Sequence, residues 1–219
     1  MIRVNNITLN IDEPIDELKT KVAKIMRVSQ SEIKEFKIAK ESIDARKKNN
    51  IKFNYAVDIT MDNEMNVVSR ANNKDVKLEE DKYTAEFEFG TKKMNHRPVI
   101  VGMGPAGMFA GILMAQKGYN PLIIERGEKV ENRTKTINKF WTRAVLNTES
   151  NVQFGEGGAG TFSDGKLTTR IKDTRCDYIL EEFVKAGAPE EIVYIGKPHI
   201  GTDVLKDVVK NIREAIIKL

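Results

Sequence analysis

The stretch VGMGPAG, residues 101–107, decides how this chain is read. It is entered from a continuous apolar run, PVIV at 98–101, which predicts a strand buried on both faces, as in a parallel sheet. Met108–Lys117 is apolar with Gly111 as its single breaker, so a helix follows at once; Gly118 ends it, and PLIIE at 121–125 predicts a second parallel strand. The resulting β-α-β unit occupies about 28 residues, Pro98 to Glu125. A dinucleotide turn asks for glycine at three places: for the tight turn, for backbone approach to the pyrophosphate, and for close helix–strand packing. Gly102, Gly104 and Gly107 supply them. Pro105 and Ala106 open the helix, whose free N–H groups and partial positive charge bind phosphate without any Lys or Arg. Glu125 falls 23 residues after Gly102, where an acid accepts from the ribose hydroxyls of the adenosine half. An acid there argues against a 2′-phosphate, and so against NADP at this turn. Arg126 and Arg133 are candidates for the adenosine or pyrophosphate, and Arg133 is equally placed to pair with Glu128 or Glu131.

A second glycine-rich loop, FGEGGAGTFSDGK at 154–166, is longer than a connector requires. Its glycines let backbone pass close to something flat or phosphorylated, and two phenylalanines flank it, unlike a Ser/Gly linker. Gly157, Gly158, Ala159, Gly160 and Thr161 are therefore candidate cofactor contacts. Asp164 and Lys166 fit two roles: a charge at the edge of a bound ring system, or a solvated S-D-G-K turn. His199, in KPHIGTD, fits a proton donor or a helix-capping surface residue.

Outward from this region the chain changes character. Residues 2–9 alternate as a strand, Leu18, Val22, Ile25 and Met26 recur at helical spacing, and alternating runs at 33–43 and 51–60 predict two more strands. A helix near 63–70 and a strand near 82–89 complete a β-α-β-β-α-β order, the ferredoxin-like arrangement. The expectation is an α/β protein: a small N-terminal α+β domain at 1–92, a linker at 93–97, and the start of a Rossmann-like domain at 98–219. Helices are expected near 129–146, 176–185 and 204–219, the first from a stripe of Val130, Thr134, Ile137, Trp141 and Val145.

Composition excludes several function classes. Nineteen basic and 17 acidic residues precede Pro98, against 17 and 15 after it, so neither part is a basic arm and a nucleic-acid partner is not expected. One cysteine, Cys176, rules out an internal disulfide, a Cys-rich metal site and the redox-active cysteine pair of a flavoprotein disulfide reductase. Two distant histidines make no ligand cluster, so no metal is expected. The longest apolar windows fall short of the roughly 20 residues a membrane span needs, and no basic-then-apolar leader opens the chain. A cytoplasmic protein away from membranes is expected.

The motifs NVQFGEGGAGTFSDGKLTTR, EFKIAKESIDARKK and KPHIGTD, with the GxGPAG turn ending in IIER, resemble a bacterial family of uncharacterised FAD-dependent dehydrogenases. The resemblance covers the whole chain. It implies a small N-terminal domain, a glutathione-reductase-type FAD domain interrupted by a second domain, FAD as cofactor, NAD(P)H as a candidate electron donor and a small-molecule substrate it does not name. Members of that family are more than twice as long, with the returning strands of the FAD sheet in the later part. Marginal stability and weak FAD binding are therefore expected of these 219 residues alone. Two functions stay open: an FAD-dependent oxidoreductase, with no catalytic side chain identified, or a non-catalytic nucleotide-binding module whose N-terminal domain binds a protein or RNA.

Overall fold

The computed structural model describes residues 1–80, 90–92, 94–171 and 173–219, in two units, Met1–Thr84 with Val193–Gly196 and Ala85–Ile192 with Lys197–Leu219. Together they make a mixed α/β protein.

In the first unit the apolar positions Ile2, Val4, Ile7 and Leu9 do not keep a strict period of two, and the backbone absorbs the slip. Strand β1 (Ile2–Asn10) is bulged between Val4 and Ile7, with Asn6 at φ 56°. One extra residue returns Ile7 and Leu9 to the buried face. Helix α1 (Glu17–Met26) buries Leu18, Val22, Ala23 and Met26 against that face. A capping box follows, in which Ser29 N–H donates to the Glu32 carboxylate at 2.6 Å. Strand β2 (Glu35–Asp44), β3 (Lys52–Thr60), helix α2 (Glu64–Ala71) and β4 (Val76–Leu78) complete the order. The sheet runs β2-β3-β1-β4, antiparallel throughout. The three long strands and both helices fall within a residue or two of their predicted places. The strand predicted near 82–89 lies outside the described residues, and the fourth strand seen, β4, is at three residues too short to have been read from VKL.

The second unit is built on two short parallel strands, β5 (Val99–Val101) and β6 (Leu122–Ile124), in register Val99–Leu122 to Val101–Ile124. Helix α3 (Pro105–Gln116) lies between them in sequence and packs on one face. Gly111 makes that possible, since a Cβ there would sit 2.6 Å from Ile123 Cδ1. The opposite face is bare among the described residues: Val101 is 84% exposed, and Val99, Leu122 and Ile124 are exposed with it. The expectation of burial on both faces is met on one only. Helix α4 (Val130–Arg143), α5 (Arg175–Lys185) and α6 (Thr202–Lys218) follow. α6 buries Leu205, Val208, Val209 and Ile212 and packs on α3 and α4. α4 is shorter than predicted. It buries Val130, Arg133 and Ile137, ends at Arg143 with Ala144 left-handed, and leaves Trp141 60% exposed. The buried stripe thus runs through an arginine where the apolar pattern pointed to Thr134 and Trp141.

Candidate functional site

The glycine turn is shaped by local necessity at two of its three glycines. Gly102 has φ 92° and donates its N–H to the Ile124 carbonyl at 2.7 Å, so turn and second strand are joined directly. A Cβ on Gly107 would collide with the Gly102 carbonyl oxygen. Gly104 differs. Its backbone is extended, a conformation any residue adopts, and a Cβ there would meet nothing within 4 Å. The fold does not demand glycine at 104, yet this residue caps α3, with Pro105 at the first helical position and Pro105 and Ala106 exposed.

Glu125, half-buried just past β6, ties the glycine turn to the residues that follow β6. One carboxylate oxygen accepts from Met103 N–H at 2.6 Å and the other from Gly127 N–H at 2.8 Å.

The second glycine loop docks on this turn, backbone against backbone. Gly157 N–H donates to the Met103 carbonyl at 2.7 Å, and Glu156 N–H to that of Glu128 at 3.2 Å. A Cβ on Gly127 would strike Gly155 Cα, and one on Gly158 would come 3.0 Å from the Pro105 ring. Two stretches some 50 residues apart thus form one surface around the α3 N-terminus. It gathers Gly102, Gly104, Pro105, Ala106, Gly107, Glu125, Gly157 and Gly158, with Ala159 and Gly160 exposed on its flank.

Arg133 orders the loop from behind. Fully buried, it donates from Nε to Asn151 at 2.9 Å, from Nη2 to Val152 at 3.0 Å, and from Nη1 to Gly155, Glu156 and Gly158 at 3.3, 2.6 and 2.8 Å, carbonyls in every case. Its guanidinium also lies 4.8 Å from the Phe162 ring centroid. Burial lowers its pKa, with Glu125 and Glu156 opposing. Its hydrogen bonds go to carbonyls rather than to Glu128 or Glu131.

Glu156, 2% exposed, accepts through Oε2 from Val130 N–H at 2.6 Å, at the start of α4, and from Arg213 of α6 at 2.7 Å. Arg213 also binds both oxygens of Glu131, at 2.6 and 3.0 Å. Burial pushes the Glu156 carboxyl up, whereas the hydrogen bond from Arg213 brings Glu131 down to about 2. Neither Glu156 nor Arg213 was marked by the sequence, although a charge on the apolar stripe of α6, beside Ile212, was a usable signal.

The remaining sequence candidates lie further out. Arg126 is exposed, 3.3 Å from Glu149 and over the Phe154 ring at 5.1 Å. Thr161 is buried. Asp164 and Lys166 are exposed and pair with each other at 2.8 Å, which holds the Asp164 carboxyl below its ordinary range. Lys166 stands directly opposite His199 across an antiparallel bridge flanked by Leu167 N–H to Pro198 and Ile200 N–H to Gly165, so two motifs 33 residues apart meet. Among the described residues no cluster of three or more His, Cys, Asp or Glu side chains could hold a metal, and no helix is long and apolar enough to cross a membrane.

Residues 1–60 match a domain of unknown function, DUF8436. Over 218 residues the chain is 52% identical to an uncharacterized protein of Clostridium beijerinckii, covering all of this chain and 41% of that protein. The chain thus spans about two fifths of the length of that relative. Neither description names an activity.

Proposed function

We propose that the second unit carries the pyrophosphate and adenosine part of an FAD site, and that the protein of which this arrangement is the core is an FAD-dependent oxidoreductase acting on a small molecule. The observation that carries the reading is the joined pair of glycine segments, Gly157 N–H to Met103 C=O, around an open helix N-terminus. Gly104 supports it: with open space where its side chain would be and no strain to relieve, glycine there keeps room for a ligand rather than for the fold. In this reading β5-α3-β6 begins a Rossmann-like domain, and the first unit, with its β2-β3-β1-β4 sheet, is ferredoxin-like.

The residues fit the group. N–H groups at the start of α3 receive the phosphates, Glu125 has lone pairs beyond those used by Met103 and Gly127 for the ribose hydroxyls, and Gly158 and Gly160 let the rest of the cofactor pass close to backbone. A bound flavin supplies the two-electron chemistry. The chain's own residues bind and orient it, and NAD(P)H is the proposed electron donor. Lys166 and His199, opposite each other across the antiparallel bridge, would bring a charge and a proton carrier to the substrate end.

The alternative, a nucleotide-binding module without turnover, draws on the bare face of the two-stranded sheet. An absorbance spectrum tests both. A chain titrated with FAD that retains a flavin spectrum through gel filtration, bleached by NADH, supports the oxidoreductase. Retention without bleaching supports the module. A colourless chain that shows no heat of FAD binding up to about millimolar refutes the site.

A further inference from the structure

Helix α4 carries an apolar face beyond the residues it buries. Its buried stripe runs Val130, Arg133 and Ile137, and Phe140 and Trp141 come next at helical spacing. They are 38% and 60% exposed. Ala144, left-handed, returns its N–H to the Phe140 carbonyl at 2.8 Å, which ends the helix there. Val145 and Leu146 follow, 58% and 56% exposed. Lone exposed apolar residues are ordinary, but four large ones in seven consecutive positions mark a contact surface.

The charge beside this patch has one sign. Lys135, Lys139 and Arg143 are spaced four apart, a single row along the helix, and all three are exposed. No Asp or Glu occurs between Asn132 and Thr148. None of the three cations forms an ion pair among the described residues, and Glu149, the first acid after them, is engaged by Arg126 at 3.3 Å. Aromatic and aliphatic side chains next to an unpaired row of cations match a bilayer surface. Indole and phenyl rings lodge where headgroups meet acyl chains, while Lys and Arg lay their stems along apolar surface and reach lipid phosphates. An acidic protein answers the same charges, but a stable protein interface takes about 20–30 residues from each side. The continuously exposed stretch here is Asn138 to Glu149, a helix end and the turn after it. A fluid interface takes up so small a projection without a matching cavity.

We propose that the C-terminal end of α4 is a docking site for an anionic lipid surface, in which Phe140, Trp141, Val145 and Leu146 enter the interface and Lys135, Lys139 and Arg143 meet headgroup phosphates. Contact at this depth requires no membrane-crossing helix. It is independent of the dinucleotide reading above, and each stands if the other fails.

Trp141 is the chain's single tryptophan, so its emission reads the site directly. The unaltered chain is titrated with vesicles of phosphatidylglycerol and phosphatidylcholine in equal parts, and with vesicles of phosphatidylcholine alone. The emission is expected to move to the blue on the anionic vesicles, with partitioning at least about tenfold stronger than on neutral ones and weakened by salt. Lys139→Gln combined with Arg143→Gln, both at exposed positions, should remove most of that preference and leave circular dichroism unchanged; a folded double variant that keeps the preference refutes the assignment. Should the variant not fold, the two vesicles on the unaltered chain decide the matter. No shift with either vesicle overturns the proposal, as does an equal shift with both. So does a blue shift that grows with protein concentration in the absence of lipid, which makes a second copy the occupant, or one that polyglutamate reproduces in full, which makes it an acidic protein.

Discussion

Replacing Arg133 with methionine tests whether this side chain, rather than a ligand, orders the second glycine loop. Methionine keeps length and bulk but removes every donor. Of the five carbonyls the guanidinium serves, those of Gly155 and Glu156 belong to fully buried residues with least access to replacement water. Two buried acceptors without donors cost about 1–3 kcal/mol each, and relief of the buried charge's own desolvation offsets part of that. A net loss of about 3 kcal/mol in local stability is expected. Hydrogen exchange reads it at the loop, since Glu156 and Gly157 amides donate to Glu128 and Met103. Their exchange should quicken about 100-fold, at 1.4 kcal/mol per factor of ten. Arg133→Lys should fare little better, because one ammonium cannot span carbonyls spread from Asn151 to Gly158. An Arg133→Met chain with a loss below about 1 kcal/mol and unchanged protection at 156–157 would refute the reasoning.

Two further predictions follow from the same geometry. Gly107→Ala drives a methyl into the Gly102 carbonyl and should destabilise the second unit by more than about 2 kcal/mol in urea melts, whereas Gly104→Ala should leave stability within about 0.5 kcal/mol and weaken ADP binding; equal stability losses at the two positions would contradict the distinction. Glu131 titrates near 2 in the folded chain, below its ordinary value of 4.5. A depressed folded-state pKa contributes stability above the unfolded value that is lost as pH falls through the folded one. Glu131→Gln should therefore destabilise the chain at pH 6, and the gap should close between about pH 4.5 and 2. Glu156 cannot produce this trend, because burial raises its pKa and gives the opposite sign. A gap that stays constant with pH would show that the Arg213 pair is not its source.

The sequence made the glycine turn legible because its constraints are local. A positive φ at Gly102, a carbonyl too near Gly107 and a strand end at Glu125 each leave a mark within a few residues. The strand β1 was legible too, although residues 2–9 were read as plain alternation and the bulge between Val4 and Ile7 was not foreseen. What escaped was non-local. Arg133 was a candidate ligand contact because arginines near a phosphate turn often are, but the carbonyls it serves lie 18 to 25 residues away and carry no side-chain signature. Glu156 was hidden among glycines, and its meaning depends on Arg213, 57 residues on. Trp141 was placed on the helical stripe of α4 yet is 60% exposed, since apolar periodicity records a face without recording whether anything covers it. The meeting of Lys166 with His199 was likewise invisible, although both residues had been singled out.

The carbonyl cage of Arg133 also has a kinetic meaning. A loop rich in glycine would ordinarily be mobile until a partner arrived, and its ordering would then slow association and weaken affinity. Here the guanidinium fixes residues 151–158 from inside, so their freedom is lost during folding and not during encounter. The nucleotide proposed above would meet a wall already in place. Association should follow a single exponential whose observed rate rises linearly with ligand concentration, without the plateau that a closing loop imposes.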